Sequence, residues 1–127
     1  MSPVRMAKVE SALRVALAFN DAFNRHDVAA ITRLISDDCV LETVMPAPDG
    51  ERLEGKAAIA AYWERYVRES PDARRRIEES FGVGHRCVIC WRCEWTGGSG
   101  MRCHLRGVDI FEEKDGAIRA QRSYVKG

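Results

Sequence analysis

The fold of this sequence is decided by the segment GVDIFEEKDGAIRAQRSYV, residues 107–125. Two runs rich in Val, Ile, Phe and Tyr flank a Lys-Asp-Gly sequence, and its glycine supplies the positive φ that a tight reversal needs. The segment therefore predicts a β-hairpin. Because side chains alternate along a strand, Asp109 should share one face with Gly107 and Phe111, opposite Val108. A carboxylate at this position is either solvated on the outer face of the sheet or lies in a cavity with a functional role. The predicted function depends on which of these two positions Asp109 has.

Hydrophobic periodicity divides the rest of the chain into helices first and strands later. Apolar residues recur at three- and four-residue steps over three segments, which we predict to be helices: residues 6–24, 28–35 and 56–69. Asp27 is a good N-cap for the second. After the third helix the period shortens to two residues, so four strands are expected, in addition to an earlier one at residues 39–45: residues 76–83, 87–96, 101–111 and 117–125. Helices gathered ahead of an antiparallel sheet predict an α+β fold with the helices packed on one face.

Three short segments are predicted to lie outside the sheet. Ser36-Asp37-Asp38 should end the second helix and turn the chain. Pro46 and Pro48 lack the N–H that a strand donates, so the loop after the first strand should not pair further. The triplet Arg74-Arg75-Arg76 is the one basic run, and it is interpreted as a solvated loop.

Length and composition favour a single domain, residues 1–127. The sequence is 46% hydrophobic, and its 20 basic and 19 acidic residues give a net charge of +1. That balance argues against a nucleic-acid or membrane surface held by charge, so neither partner is expected. The first residues lack the apolar core of a signal peptide, and no segment approaches the roughly 18 apolar residues of a membrane span. With five cysteines and no export signal, we expect free thiols and a cytoplasmic protein.

Four segments together carry a resemblance to a known family: FNRHDVAA at residues 23–30, ISDDCV at 35–40, LEGKAAI at 53–59, and the hairpin from Val108 to Tyr124. In their order and spacing they resemble the nuclear transport factor 2-like (NTF2-like) superfamily. The type that the chain resembles most is the SnoaL-like polyketide cyclase and ketosteroid isomerase domain. The resemblance extends over nearly the whole chain, from about residue 8 to residue 125.

The resemblance implies a cone, in which three N-terminal helices pack in the concave face of a curved, mainly antiparallel sheet around an apolar pocket. Such pockets usually work without a metal or an organic cofactor, so none is expected, and the ligand should be a small, largely apolar organic molecule. The family often forms homodimers through the outer sheet face, and the same is expected here. Since the fold hosts isomerases, hydrolases, dehydratases, cyclases and non-enzymatic modules, it does not by itself identify a reaction.

Comparison with ketosteroid isomerases implies a role for Asp109. In those enzymes a strand carboxylic acid stays protonated in its apolar site and donates a hydrogen bond to the developing oxyanion, and Asp109 matches its position. The general base aligns with Thr43, or with Glu42 if the register slips by one, and the tyrosine donor aligns with Phe19. A threonine hydroxyl is too weakly acidic to exchange a proton with carbon near neutral pH, and phenylalanine has no donor. Steroid-type isomerisation is therefore not expected.

A second comparison is with limonene epoxide hydrolases, in which an Arg-x-Asp pair and a last-strand aspartate position a water molecule. Arg92-Cys93-Glu94 resembles the first feature, with Glu94 as the base and Arg92 lowering its pKa. The last-strand aspartate corresponds to Ser123, and Asp109 could partly replace it from the neighbouring strand. The alternative is that Arg92 and Glu94 form an exposed cross-strand charge patch.

Further residues are assigned to the pocket by their predicted positions. Those expected to contact or orient the ligand are Phe19, Thr43, Tyr62, Trp63, Tyr66, Cys103, Gln121 and Ser123. The C-x-x-C-x-x-C spacing at residues 87–93 resembles half of a metal signature, but strand alternation turns Cys90 away from Cys87 and Cys93. We therefore predict no metal site there.

Two hypotheses about function remain open. In the first, the chain is a cofactor-independent isomerase, cyclase or epoxide-hydrolase-like enzyme, with Asp109 as the acid or oxyanion donor and Glu94, held by Arg92, as the base. In the second, it is a non-catalytic ligand-binding or dimeric protein-interaction module. Convergence of these three side chains on one cavity favours the enzyme, whereas Arg92 and Glu94 on the outer face favour binding.

Overall fold

The structure, a computed structural model, describes residues 3–126, with the side chains of residues 11–126. Its elements, in chain order, are α1 Pro3–Asn24, α2 Val28–Leu34, β1 Ile35–Glu42, β2 Arg52–Glu54, α3 Lys56–Glu69, β3 Arg74–Val83, β4 Arg86–Thr96, β5 Arg102–Lys114 and β6 Ala117–Val125. None of the helices in this range is both long and apolar enough to cross a membrane. The predicted α+β class is confirmed, and so is the order of helices and strands except for β2, which was not predicted.

The six strands form one curved sheet that does not close into a barrel, in the order β2-β1-β6-β5-β4-β3. All neighbouring strands are antiparallel except β1 and β6, which are parallel. The predicted hairpin is β5–β6, in which Asp109 pairs with Ser123 and Phe111 with Gln121. A two-residue turn closes it, at Asp115-Gly116, where φ is 53° and 84°. Positive φ at both positions gives the twist that an antiparallel hairpin needs.

The helices cover the concave face of the sheet, and the core lies between the two layers. Phe19, Ile31 and Ile59, one from each helix, are each only 1% exposed, and Phe111 and Ile118 from the sheet are equally enclosed. Each such side chain stabilises the fold by about 1.5–3 kcal/mol relative to its exposed state. The core is therefore a helix-to-sheet interface, as the sequence predicts.

The first strand begins four residues earlier and ends three residues earlier than expected, and it has an unpredicted partner. β1 begins at Ile35 because Ile35 and Cys39 are buried while the intervening aspartates point outward, so Ser36-Asp37-Asp38 is strand and not a turn. A register shift relative to β6 between Ile35 and Val40 accommodates this segment. The short strand β2 pairs with β1, and the two prolines do not prevent it because they precede the paired residues.

Candidate functional site

A cavity of about 340 Å³ opens between α3, the end of α1 and the concave face of the sheet. Most of its lining is aromatic or apolar: Phe23, Leu41, Val44, Met45, Tyr62, Trp63, Tyr66, Trp91, Cys93, Trp95 and Leu105. Six polar residues complete it: Thr43, Arg65, Glu69, Ser70, Arg75 and Ser123. Of the eight residues expected to contact a ligand, Thr43, Tyr62, Trp63, Tyr66 and Ser123 therefore line the cavity.

Arg75 is the charged group at the buried side of this cavity, and the sequence interpretation missed it. β3 begins two residues earlier than expected, so strand alternation turns Arg75 inward while Arg74 and Arg76 stay exposed. Arg75 is only 9% exposed. Its Nη1 donates a hydrogen bond of 2.7 Å to Oδ2 of Asp109, which makes a buried ion pair. The basic triplet is therefore part of a strand with a buried middle residue, and not a solvated loop.

Asp109 lies behind Arg75, on the side away from the cavity, and is 0% exposed. Its carboxyl accepts three hydrogen bonds: 2.7 Å from Arg75 and 2.9 Å from Gln121 Nε2 at Oδ2, and 3.0 Å from Trp91 Nε1 at Oδ1. All three partner atoms are donors, so the environment suits a carboxylate and offers a carboxylic acid no acceptor for its proton. This environment does not fit the oxyanion-donor role expected for Asp109. The carboxylate instead compensates and orients Arg75.

Aromatic rings enclose the guanidinium on its other sides. Arg75 Cζ lies 4.2 Å from the ring centroid of Trp91, 5.1 Å from that of Phe23 and 5.7 Å from that of Phe19. Phe19 thus contacts Arg75 from within the core and does not reach the cavity surface. Such stacking satisfies the faces of a guanidinium but not its N–H groups.

Asp109 leaves other N–H groups of Arg75 without a hydrogen-bond partner among the described residues. A guanidinium carries five N–H donors, and within residues 11–126 the only side-chain bond that Arg75 makes is the one to Asp109. Among the described residues no enclosed side-chain nitrogen or oxygen lacks a hydrogen-bond partner. The side-chain nitrogens of Arg75 that make no hydrogen bond are therefore not fully enclosed, and Arg75 lines the cavity.

Asn24 fixes the backbone that carries Arg75. Its Oδ1 accepts a hydrogen bond of 2.7 Å from the Arg75 amide, and its Nδ2 donates one of 2.8 Å to the Arg75 carbonyl. Next along the turn, His26 Nε2 lies 2.8 Å from the carbonyl of Ala73, the second residue before Arg75. The FNRHD segment thus attaches the end of α1 to the edge strand and holds Arg75 at its distance from Asp109.

Three further lining groups, on Tyr62, Tyr66 and Cys93, are weak acids in their neutral form. Burial raises the pKa of Tyr62, Tyr66 and Cys93 above their ordinary values. They are hydrogen-bond donors near neutral pH and not bases, because their ordinary values already lie above neutrality. Tyr66 Oη and Cys93 Sγ are 3.9 Å apart, at the limit of a weak hydrogen bond.

Two hydroxyl groups expected to orient a ligand differ in their availability. Thr43 Oγ1 donates to the Met45 carbonyl over 2.8 Å and accepts from the Glu51 amide over 2.9 Å, so this hydroxyl fixes the loop after β1. Ser123, which pairs with Asp109 across the hairpin, makes no side-chain hydrogen bond within the described residues and faces the cavity. Of these two residues, Ser123 is therefore the one whose hydroxyl is not already used by the protein.

Arg92 and Glu94 lie on the outer face of the sheet, which corrects the expectation that they reach the pocket. On β4, Cys87, Ile89, Trp91 and Cys93 are buried toward the helices, and the alternate positions point away from them. Arg92 Nε and Glu94 Oε2 are 3.5 Å apart, and both side chains are about one-third exposed, 30% and 36%. Asp109, Arg92 and Glu94 therefore do not converge on one cavity.

Two more residues of the predicted site are placed elsewhere. Gln121 is 2% exposed and reaches the cavity only indirectly, through its bond to Asp109. The Cys103 thiol lies near the connection between β4 and β5, where Sγ donates to the Met101 carbonyl over 3.6 Å. It does not belong to the cavity lining.

Comparisons with known proteins agree with this architecture. No curated protein matches the sequence significantly. An NTF2-like protein of unknown function from Mesorhizobium loti is 36% identical over 94% of each chain, with a TM-score of 0.79. A Mycobacterium tuberculosis protein in complex with estradiol-17β-hemisuccinate is 22% identical over 90% of this chain and 92% of its own, with a TM-score of 0.78. The Δ5-3-ketosteroid isomerase from Mycobacterium sp. is 23% identical over the same shares, with a TM-score of 0.75. The model of the SnoaL-like domain matches residues 16–121. This chain, with its NTF2-like fold, belongs to the SnoaL-like domain family.

Proposed function

We propose that the chain binds a small, largely apolar organic molecule in the cavity, with a hydrogen-bond acceptor of the ligand held by Arg75. The observation that carries the proposal is the combination of free guanidinium N–H groups with an aromatic enclosure. Ligand sites typically pair an apolar wall with a few placed polar groups. A second polar contact is available from the Ser123 hydroxyl.

Size and lining support a ligand with one or more rings. The volume of about 340 Å³ falls at the lower end of the range for small-molecule sites, roughly 300–1,000 Å³. Tyr62, Trp63, Tyr66 and Trp91 offer flat apolar surfaces to such a molecule. The mycobacterial neighbour that holds estradiol-17β-hemisuccinate supports the same ligand class.

Binding is favoured over catalysis because the buried end of the cavity offers no proton acceptor. Glu69 is the only carboxylate in the described lining, and it is exposed at the mouth. Asp109 is enclosed by its three donors. A general base must come within hydrogen-bond reach of the proton that it removes, and neither group has that position at the buried end.

The alternative is a cofactor-independent isomerase, cyclase or epoxide-hydrolase-like enzyme, which the held guanidinium favours. Arg75 is fixed by Asp109 in a buried ion pair, and such preorganised donors stabilise a developing oxyanion. In this version Arg75 takes the oxyanion-binding role expected of Asp109. If a substrate is found, Arg75→Met should lower kcat by a factor of about 100 or more, and an unchanged kcat would exclude this version.

Binding is tested by filling the cavity. Isothermal titration calorimetry with 2-acetylnaphthalene and with estradiol-17β-hemisuccinate should show one site per chain. Leu105 lines the cavity, so Leu105→Trp should weaken binding at least about tenfold. His104→Trp places the same side chain on the opposite face of the same strand and should leave affinity unchanged. Absence of binding to the wild-type protein, or equal loss in both variants, would refute the proposal.

We also propose that the outer sheet face forms a homodimer. Phe81 and Tyr124 are 55% and 54% exposed there, beside the half-buried Val88 and Val108. Exposed apolar surface of this kind is typical of protein interfaces. Light scattering after gel filtration should give twice the chain mass, and Phe81→Glu should give the monomer mass. A wild-type monomer at micromolar concentration would exclude the dimer.

A further inference from the structure

We propose that Asp109 determines the charge specificity of the cavity. With Asp109 in place, Arg75 donates hydrogen bonds to an uncharged acceptor of the ligand, such as a ketone or amide carbonyl, and discriminates against a ligand carboxylate. This inference rests on the binding function proposed above. An unpaired arginine in an apolar pocket would favour the opposite choice, since guanidinium and carboxylate match in charge and geometry. The difference lies in the residue behind the arginine.

The charges at the buried end of the cavity already balance. Arg75 and Asp109 form one ion pair at 2.7 Å, with side chains 8% and 0% exposed. The other charged residues in the described lining are Arg65 and Glu69, one of each sign, and both are exposed at the mouth. The buried end therefore carries no net charge that would attract an ionic ligand.

A ligand carboxylate would place a second anion on the same guanidinium. Two anions and one cation in a poorly hydrated space leave an uncompensated negative charge, and burying such a charge is costly. A carbonyl oxygen can accept the remaining Arg75 N–H groups without changing the net charge. The site then satisfies those donors and keeps the ion pair intact.

The ligand cannot displace Asp109 from its place. The carboxylate is held by Arg75, Trp91 and Gln121, and it has no exposed surface. The three bonds come from β3, β4 and β6, so moving the carboxylate would break contacts to three strands. A molecule with a carboxylate at one end should therefore enter with its other end first and leave the charge near the mouth.

Three probes of one shape separate charge from size: 2-acetylnaphthalene, 2-naphthamide and 2-naphthoate. Calorimetry near pH 7 should show the ketone and the amide binding the wild-type protein at least about tenfold more tightly than naphthoate, because like-charge juxtaposition in an interface is strongly unfavourable. The amide controls for the greater hydration of a polar group. Asp109→Asn removes the compensating charge, so the affinity for naphthoate should rise at least about tenfold relative to the affinity for naphthamide.

Glu94→Gln is the matched control, because it removes one carboxylate from an ion pair on the outer face. It should leave the ratio of naphthoate to naphthamide affinity as in the wild-type protein. Near-ultraviolet circular dichroism checks that Asp109→Asn is folded. If it is not, the order of the three probe affinities in the wild-type protein decides whether the inference holds. Equal affinity of naphthoate and naphthamide for the wild-type protein overturns the inference, as does an unchanged ratio in folded Asp109→Asn. Failure of all three probes and of estradiol-17β-hemisuccinate to bind would instead refute the binding function, and this inference with it.

Discussion

Replacing Arg75 by methionine separates the two halves of the buried ion pair. The change removes the guanidinium but keeps an unbranched apolar side chain between the rings of Trp91 and Phe23. Asp109 keeps two neutral donors, Trp91 and Gln121, and loses its only charged partner. The variant therefore leaves a carboxylate at 0% exposure without a counter-charge.

The expected cost follows from that desolvation. Removing one partner of a buried pair lowers the free energy of unfolding by about 3–5 kcal/mol, since the remaining charge stays uncompensated. Replacing both charges by apolar groups of similar size is often neutral or stabilising. Arg75→Met combined with Asp109→Asn removes both charges and keeps an acceptor oxygen beside Trp91 and Gln121, so it should recover most of the loss, to within about 2 kcal/mol of the wild-type protein.

Urea unfolding followed by tryptophan fluorescence measures both variants, provided that the slope with denaturant stays constant. Glu94→Gln breaks the exposed pair with Arg92 and should cost about 0–1 kcal/mol. A loss below about 1 kcal/mol in Arg75→Met would show that the pair is solvated. A double variant less stable than Arg75→Met would show that Asp109 has a role independent of the charge on Arg75. Either result would refute the reasoning for the site.

Two further predictions concern the contacts of Asn24 with the Arg75 backbone and the hydrogen bonds of Glu113 beside the β5–β6 turn. Asn24→Ala should lower the free energy of unfolding by about 1–3 kcal/mol, because two hydrogen bonds to the Arg75 backbone are lost, and should also weaken 2-acetylnaphthalene binding; Asn24→Asp keeps the acceptor and should lose less, as urea unfolding and calorimetry would show. Burial acts to raise the pKa of Glu113, but its bonds from His85, the Gly116 amide and Ser11 lower it overall. A carboxyl group whose pKa is lower in the folded than in the unfolded state stabilises the fold at pH values above the ordinary glutamate pKa. This stabilisation is lost as the pH falls through the folded-state pKa. The gap in melting temperature between wild-type and Glu113→Gln should therefore be wide at pH 7 and narrow below about pH 4; a constant gap would contradict it.

The sequence predicts the fold because its signals are local. The helices, the Asp-Gly turn and the alternation around Asp109 each depend on a few neighbouring residues, and the structure confirms them. The ion pair joins residues 34 positions apart, and no local pattern links them. Arg75 could have been found only from the start of β3, since moving the strand by one residue reverses the direction of its side chain.

The sequence alone could not predict which face of the sheet carries Glu94, for a related reason. Alternation shows that Arg92 and Glu94 share a face, but not which face is inside. The register of β4 against β5 settles it, because Ile89 pairs with Asp109 and therefore shares its face. Glu94 is an odd number of residues from Ile89, so it faces the other way. In this register Asp109 and Glu94 cannot both point into the cavity.

The ion pair connects two parts of the sheet that are supported unequally. Asp109 is on β5, with hydrogen-bonded strands on both sides, whereas Arg75 is on β3, which ends the sheet and pairs only with β4. Opening an edge strand requires less free energy than global unfolding. A ligand bound to Arg75, as proposed above, would bind only while this edge is closed, and its binding energy would add to the local stability of β3. By the same linkage, a variant in which part of the molecules have this edge open would show an apparent affinity for that ligand lowered in proportion to the closed fraction.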